Sequence, residues 1–129
     1  MPAQLTEPLE AELPRERHCA ALARRLVEEL FSDQLEGRAL EDLKLVVSEL
    51  VDNAYVHGEG RIQLKLQRVT HAVRIDVLDD GEDARIAFRR LGAHGGGHGL
   101  RLVDHLCSGW GSFQGRTHVW AELPIPQSA

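Results

Sequence analysis

Residues 45–58 read LVVSELVDNAYVHG, and this stretch decides the fold. Starting from Leu43, apolar residues recur at Val46, Val47, Leu50, Val51 and Ala54. Steps of three and four residues mark one face of an α-helix. Glu49 and Asn53 stand four apart and therefore stack on adjacent turns of the same face. They fall at the edge of the apolar stripe, with Leu45 and Val56 beyond them. A carboxylate and an amide set among apolar neighbours are costly to bury without polar partners. Their placement points to the wall of a cleft that takes a polar ligand. Gly58 follows the last periodic residues, where it suits a C-terminal helix cap.

Working outward, the central helix spans residues 39–57, with Glu41 and Asp42 in its first turn, where the helix dipole favours them. Upstream, Cys19, Leu22, Ala23, Leu26, Val27 and Leu30 predict an amphipathic helix over residues 15–30, with Pro14 at its start. Residues 4–13 contain alternating apolar positions and predict a short edge strand, and residues 32–37 a loop. Downstream, Ile62, Leu64 and Leu66 alternate with Arg61, Gln63, Lys65 and Gln67, as expected of a strand with one wet face. Val73, Ile75 and Val77 repeat the pattern, and the short link at Thr70 and His71 predicts an antiparallel hairpin. Asp79 continues the inward parity of Val77, so its carboxylate needs a partner, and Asp80-Gly81 marks a turn. Residues 82–97 have no regular pattern and predict a mobile loop, with one helical turn around residues 86–91. A short amphipathic helix begins near His98 and carries Leu100, Val103 and Leu106. Residues 110–114 and 118–125 predict a closing hairpin. The resulting order, two helices, two strands, a loop, a helix and two strands, predicts an α+β fold. Its form is a two-layer α/β sandwich, a mixed and mainly antiparallel sheet with helices on one face.

The 129 residues suit one domain over residues 1–129, with 43% hydrophobic and 27% charged residues, as in ordinary globular chains. A formal net charge of −5 gives no basic surface for nucleic acid. The N-terminal stretch lacks the basic start and apolar core of a signal peptide, and no apolar run is long enough to span a membrane. Cys19 and Cys107 belong to no metal or redox motif and read as buried free thiols, which suits a reducing cytoplasm.

GGGHGL, residues 95–100, runs directly into a helix. Glycines let backbone amides approach a ligand, and a helix N-terminus offers unpaired donors, so phosphate is a natural ligand there. The Walker pattern fails, because Lys44 and Lys65 are the only lysines and neither is near the loop. A dinucleotide fingerprint fails as well, because the glycines come late rather than after a first strand. His94 and His98 are four apart, but in a segment too rich in glycine for a stable helical metal pair.

Three pieces now stand in fixed order: ELVDN at 49–53, DDG at 79–81 and GHGL at 97–100. The set resembles the GHKL, or Bergerat-fold, ATPases. Ser48 to Gly58 and the tail WAEL at 120–123 look most like the anti-sigma-factor serine kinases among them. The resemblance covers roughly residues 15–125 and implies ATP and Mg²⁺ as ligands. It implies that Asn53 coordinates the metal that bridges the phosphates and that Glu49 is the general base. It gives Asp79 the hydrogen bond from the adenine amine. It lets the backbone at Gly81 pass close to the base. Gly97, Gly99 and the amide of Leu100 would face the phosphates, and residues 82–96 would form a lid. The function implied is that of an anti-sigma factor with protein-serine kinase activity on an anti-anti-sigma protein of the STAS type. A dimer formed through the N-terminal region is also implied.

Two positions depart from the family pattern. Asp83 stands where the second motif usually ends in Gly, and His118 stands where a Thr is usual before the final Val-Trp, with Thr117 one place earlier. These departures motivate the alternative, a non-catalytic partner-switch module with weak or no ATP binding.

Overall fold

A computed structural model of the chain describes residues 8–35, 37–81, 98–113 and 118–125. The elements, in chain order, are β1 (Leu9–Leu13), α1 (Cys19–Phe31), α2 (Arg38–His57), β2 (Ile62–Val69), β3 (Ala72–Leu78), α3 (His98–Leu106), β4 (Gly109–Phe113) and β5 (His118–Pro124). The strands form one five-stranded sheet in the order β1-β2-β3-β5-β4, with every described pairing antiparallel. This is the α+β sandwich expected from the pattern of helices and strands.

The period-2 pattern sets the sheet's two faces. Ile62, Leu64 and Leu66 of β2, Val73, Ile75 and Val77 of β3, and Val119, Ala121 and Leu123 of β5 are all buried. The register puts Leu64 beside Val77 and Ile75 beside Ala121, so these side chains form one continuous apolar face. Over it lie the three described helices, with α1 and α3 each packed against α2. From α2, Leu43, Val46, Val47, Leu50 and Val51 enter the core, and from α1, Ala23, Val27 and Phe31. Burying the Leu, Val and Ile side chains supplies roughly 1.5–3 kcal/mol each, before conformational entropy is subtracted.

Three local readings are refined. First, α1 begins at Cys19, not Arg15. Pro14 and Glu16 lie in a tight turn before it, in which the Glu16 amide donates to the Pro14 carbonyl at 2.9 Å. Second, Gly58 caps α2 as expected, but without the left-handed conformation common at glycine caps. Its φ of −91° and ψ of −168° are extended, and its amide donates back to the Ala54 carbonyl at 2.9 Å. Third, Cys19 is buried as expected, but Cys107 is only partly covered. Burial nevertheless pushes its thiol up to about 12. Trp110 and Trp120 lie on opposite faces of the sheet. Trp110 packs against the core and donates its indole N–H to Asp104 of α3 at 2.9 Å, whereas Trp120 lies on the outer face against the Arg74 guanidinium, 4.5 Å from its centroid. The helical turn expected at 86–91 lies outside the described residues.

Candidate functional site

The C-terminal half of α2 carries Glu49 and Asn53, and the end of β3 delivers Asp79. The α2–β2 connection brings the two together. Gly58 lies so close to Asp79 that a Cβ there would strike the carboxylate and come within 2.7 Å of the Ala54 carbonyl. The Asp79 Oδ1 atom accepts the Gly81 amide at 2.7 Å and the Glu59 amide at 3.4 Å. Asp80 fastens the same junction from the other side. Its amide donates to the Glu59 carbonyl at 2.8 Å, and its carboxylate accepts the Arg61 amide at 2.7 Å. That amide bond and the Arg61 charge hold the Asp80 carboxyl below the usual carboxylate range.

Asn53 is the only buried polar side chain among the described residues, with 8% of its surface exposed. Its Oδ1 atom is fully covered and has no hydrogen-bond partner among the described residues. Leaving such an acceptor unsatisfied costs about 1–3 kcal/mol. Glu49, one turn earlier, is half-buried. Burial pushes its carboxyl above the ordinary glutamate range, and the negative charge of Asp52 adds to the effect. Leu45 and Val56 remain exposed on the same helix.

Gly99 and Leu100 lie in the first turn of α3, which packs on α2. Gly97, Asp83 and the expected lid at 82–96 lie outside the described residues, as does Thr117. Thus the C-terminal end of α2, which carries Asn53, meets Asp79 and Gly81 at one corner of the molecule, the junction of α2, β2 and β3, and Glu49 lies further back along α2. A small hollow of about 140 Å³ opens beside this corner, lined by Glu12, Arg61, Gln63, Leu78, Asp79 and Asp80. A wider, open trough of about 790 Å³ runs between α1 and α2 past Arg24, Lys44, Leu45 and Ser48, and touches none of the predicted site residues.

His118 is on the other side of the sheet. It sits opposite Leu78 in the register, and its Nε2 lies 2.6 Å from Asp76 Oδ2. Burial works to raise the Asp76 carboxyl, but the hydrogen bonds from His118 and Arg74 outweigh it and hold the group below its ordinary range. The histidine at the departing position therefore makes a cross-strand hydrogen bond to Asp76 on the face opposite the corner of Asn53 and Asp79.

Two contributors escaped the sequence reading. Gly58 had a signal, since it ends the Ser48–Gly58 motif, and beyond capping α2 it lets Asp79 approach closely. Arg15 had none. It reaches the carbonyls of Ala54, Tyr55 and Gly60 from some forty residues away.

Comparison with solved structures finds the same fold in the RsbU and RsbW domains of Rv1364c from Mycobacterium tuberculosis. The two superpose with a TM-score of 0.66 and 22% sequence identity, over 93% of the present chain and 32% of that one. The present chain thus spans about a third of the length of that protein chain. Among curated proteins, no sequence matches significantly. Residues 39–127 match the sequence pattern of the histidine kinase-, DNA gyrase B- and HSP90-like ATPases, a stretch that takes in α2, the corner at Asp79 and everything to the end of the sheet. The chain belongs to that ATPase family.

Proposed function

We propose that the chain is an ATP-binding regulatory protein, an anti-sigma factor that phosphorylates a serine on an anti-anti-sigma protein of the STAS type. The observation that carries the nucleotide reading is Asn53. A buried amide oxygen without a partner among the described residues, on the central helix, fits a ligand that supplies a donor or a cation. A magnesium ion, directly or through its water, suits a hard oxygen donor. Mg-ATP, when bound, supplies the transferable phosphoryl group and the metal that shields its charge.

The remaining roles fall to the chain's own residues. Asp79 accepts the hydrogen bond of the adenine amine, held in place by the amides of Gly81 and Glu59. Glu49 takes the proton of the attacking hydroxyl. A carboxyl pushed above its ordinary range is a better proton acceptor near neutral pH than a free glutamate. The first turn of α3, at Gly99 and Leu100, together with Gly97, offers backbone donors to phosphate oxygens. Phosphorylating the partner would add charge at its interface and release it. The reading includes a single domain, a cytoplasmic location, a sigma factor as second partner and a homodimer.

Calorimetry with Mg-ATP tests the nucleotide part. Wild type is expected to bind, and Asn53→Ala and Asp79→Asn to lose binding. Glu49→Ala is expected to keep nucleotide affinity and lose phosphate transfer to a STAS-type protein captured from the native host. Absence of ATP binding by wild type would sink the proposal. Weak or absent ATP binding, with no transfer, would leave the non-catalytic partner switch in its place.

A further inference from the structure

Arg15 sits in the connection between β1 and α1, outside every motif of the family. Its guanidinium nevertheless makes three hydrogen bonds to one stretch of backbone. Nε donates to the Gly60 carbonyl at 2.7 Å, Nη1 to Tyr55 at 2.8 Å and Nη2 to Ala54 at 3.0 Å. Two of these acceptors belong to the last turn of α2, where carbonyls have no partner within the helix. A cation at that end also complements the helix dipole, and charge-assisted bonds of this kind are stronger than neutral ones.

The acceptors are those that shape the site. The Ala54 carbonyl also receives the Gly58 amide and packs on Gly58, the residue against which Asp79 lies. Gly60 lies against Asp80, and the Arg61 amide beside it donates to Asp80. Asn53 directly precedes Ala54. The fork therefore spans the turn that carries Asn53 and the loop that holds Asp79. In this junction the guanidinium joins the helix end to the loop after it.

We propose that Arg15 is a positioning residue of the nucleotide site, one that fixes the distance between Asn53 and Asp79 without touching the ligand. The proposal rests on the ATP reading given above. Lysine cannot replace it fully, because a point charge cannot bridge three carbonyls in a planar fork.

The test compares wild type, Arg15→Ala, Arg15→Lys and the control Arg24→Ala. Arg24 makes its own long-range bond, to Ser48 Oγ at 2.8 Å, but away from the corner of Asn53 and Asp79. Affinities are measured for Mg-ATP and for inosine triphosphate, whose base carries an oxygen in place of the amine that Asp79 reads. Wild type and Arg24→Ala are expected to prefer ATP. Arg15→Ala is expected to bind ATP about tenfold more weakly and to lose most of that preference, and Arg15→Lys to fall between. Loss of fold alone would lower both affinities equally and leave the preference intact. Hydrogen exchange on the nucleotide-free proteins gives a second readout. The amides of Gly58, Asp80, Arg61 and Gly81 are expected to exchange faster in Arg15→Ala than in Arg24→Ala. If Arg15→Ala does not fold, Arg15→Lys carries both measurements. Unchanged ATP affinity and preference in a folded variant overturn the proposal, as do equal losses for the two nucleotides or unchanged exchange at the four amides. Wild type that binds neither nucleotide overturns the ATP reading and this proposal with it, an outcome distinct from failure of the Arg15 variants alone.

Discussion

Gly58 shows how much one missing side chain can decide. Its backbone is extended, at φ −91°, a conformation open to every residue, so glycine is not required for torsional reasons. It is required because the Asp79 carboxylate and the Ala54 carbonyl occupy the space where a Cβ would go. Gly37 is the opposite case: its φ is +57°, with open space around the Cβ position. Replacing Gly58 with Ala should therefore destabilise by about 1–3 kcal/mol through overpacking. The companion Gly37→Ala should cost about 1–3 kcal/mol through backbone strain alone. Thermal or urea unfolding separates the two causes when each change is repeated with Asp79→Ala. The Gly58 cost should shrink in that background, because one of its two colliding groups is gone, and the Gly37 cost should stay the same. Equal Gly58 penalties in both backgrounds would show that Asp79 does not set the requirement.

Among the elements, α2 and the three inner strands were legible because each buries one face completely and has a clean period. The observed bounds of α2, β2 and β3 differ from the sequence reading by only a residue at either end. What could not be read was what crosses between elements. No local pattern announces that Arg15 reaches Ala54, or that the Trp120 indole lies over Gly109 and Gly111 across the sheet, most tightly at Gly111. The same holds for the outer face of β3 and β5. There His118 departs from the family pattern for a reason visible only in the register, which brings it to within 2.6 Å of Asp76, both side chains less than a fifth exposed. This pair makes a prediction at the level of the strands. The Asp76 carboxyl lies below its ordinary value in the folded chain, so its stabilising contribution is complete above the unfolded value, ~3.9, and is lost as pH falls through the folded value. A double-mutant cycle with Asp76→Asn and His118→Ala should give a coupling of about 1–2 kcal/mol at pH 7. The coupling should fall toward zero in acid, below the usual carboxylate range. Coupling that persists unchanged through that range would assign the contact to packing instead of charge.

For the molecule as a whole, the nucleotide reading predicts an energetic asymmetry between the empty and the filled protein. In the nucleotide-free protein, Asn53 contributes a covered oxygen without a partner among the described residues, at a cost of about 1–3 kcal/mol. Asn53→Ala removes that cost but leaves a small cavity of similar penalty, so the melting temperature of the nucleotide-free variant should stay within a few degrees of wild type. Ligand then splits them. At a hundred times its dissociation constant, a ligand that binds only the native state adds about 2.7 kcal/mol. For a chain of 129 residues that corresponds to a rise of roughly 10 °C. Wild type should show this rise with Mg-ATP, and most of it should vanish when the magnesium is chelated. Asn53→Ala should show no rise at all, despite its unimpaired stability when empty. A variant whose melting temperature climbs with Mg-ATP as far as that of wild type would remove Asn53 from the metal's reach. One that starts many degrees lower without ligand would make Asn53 a structural residue, whose buried oxygen is satisfied within the native protein itself.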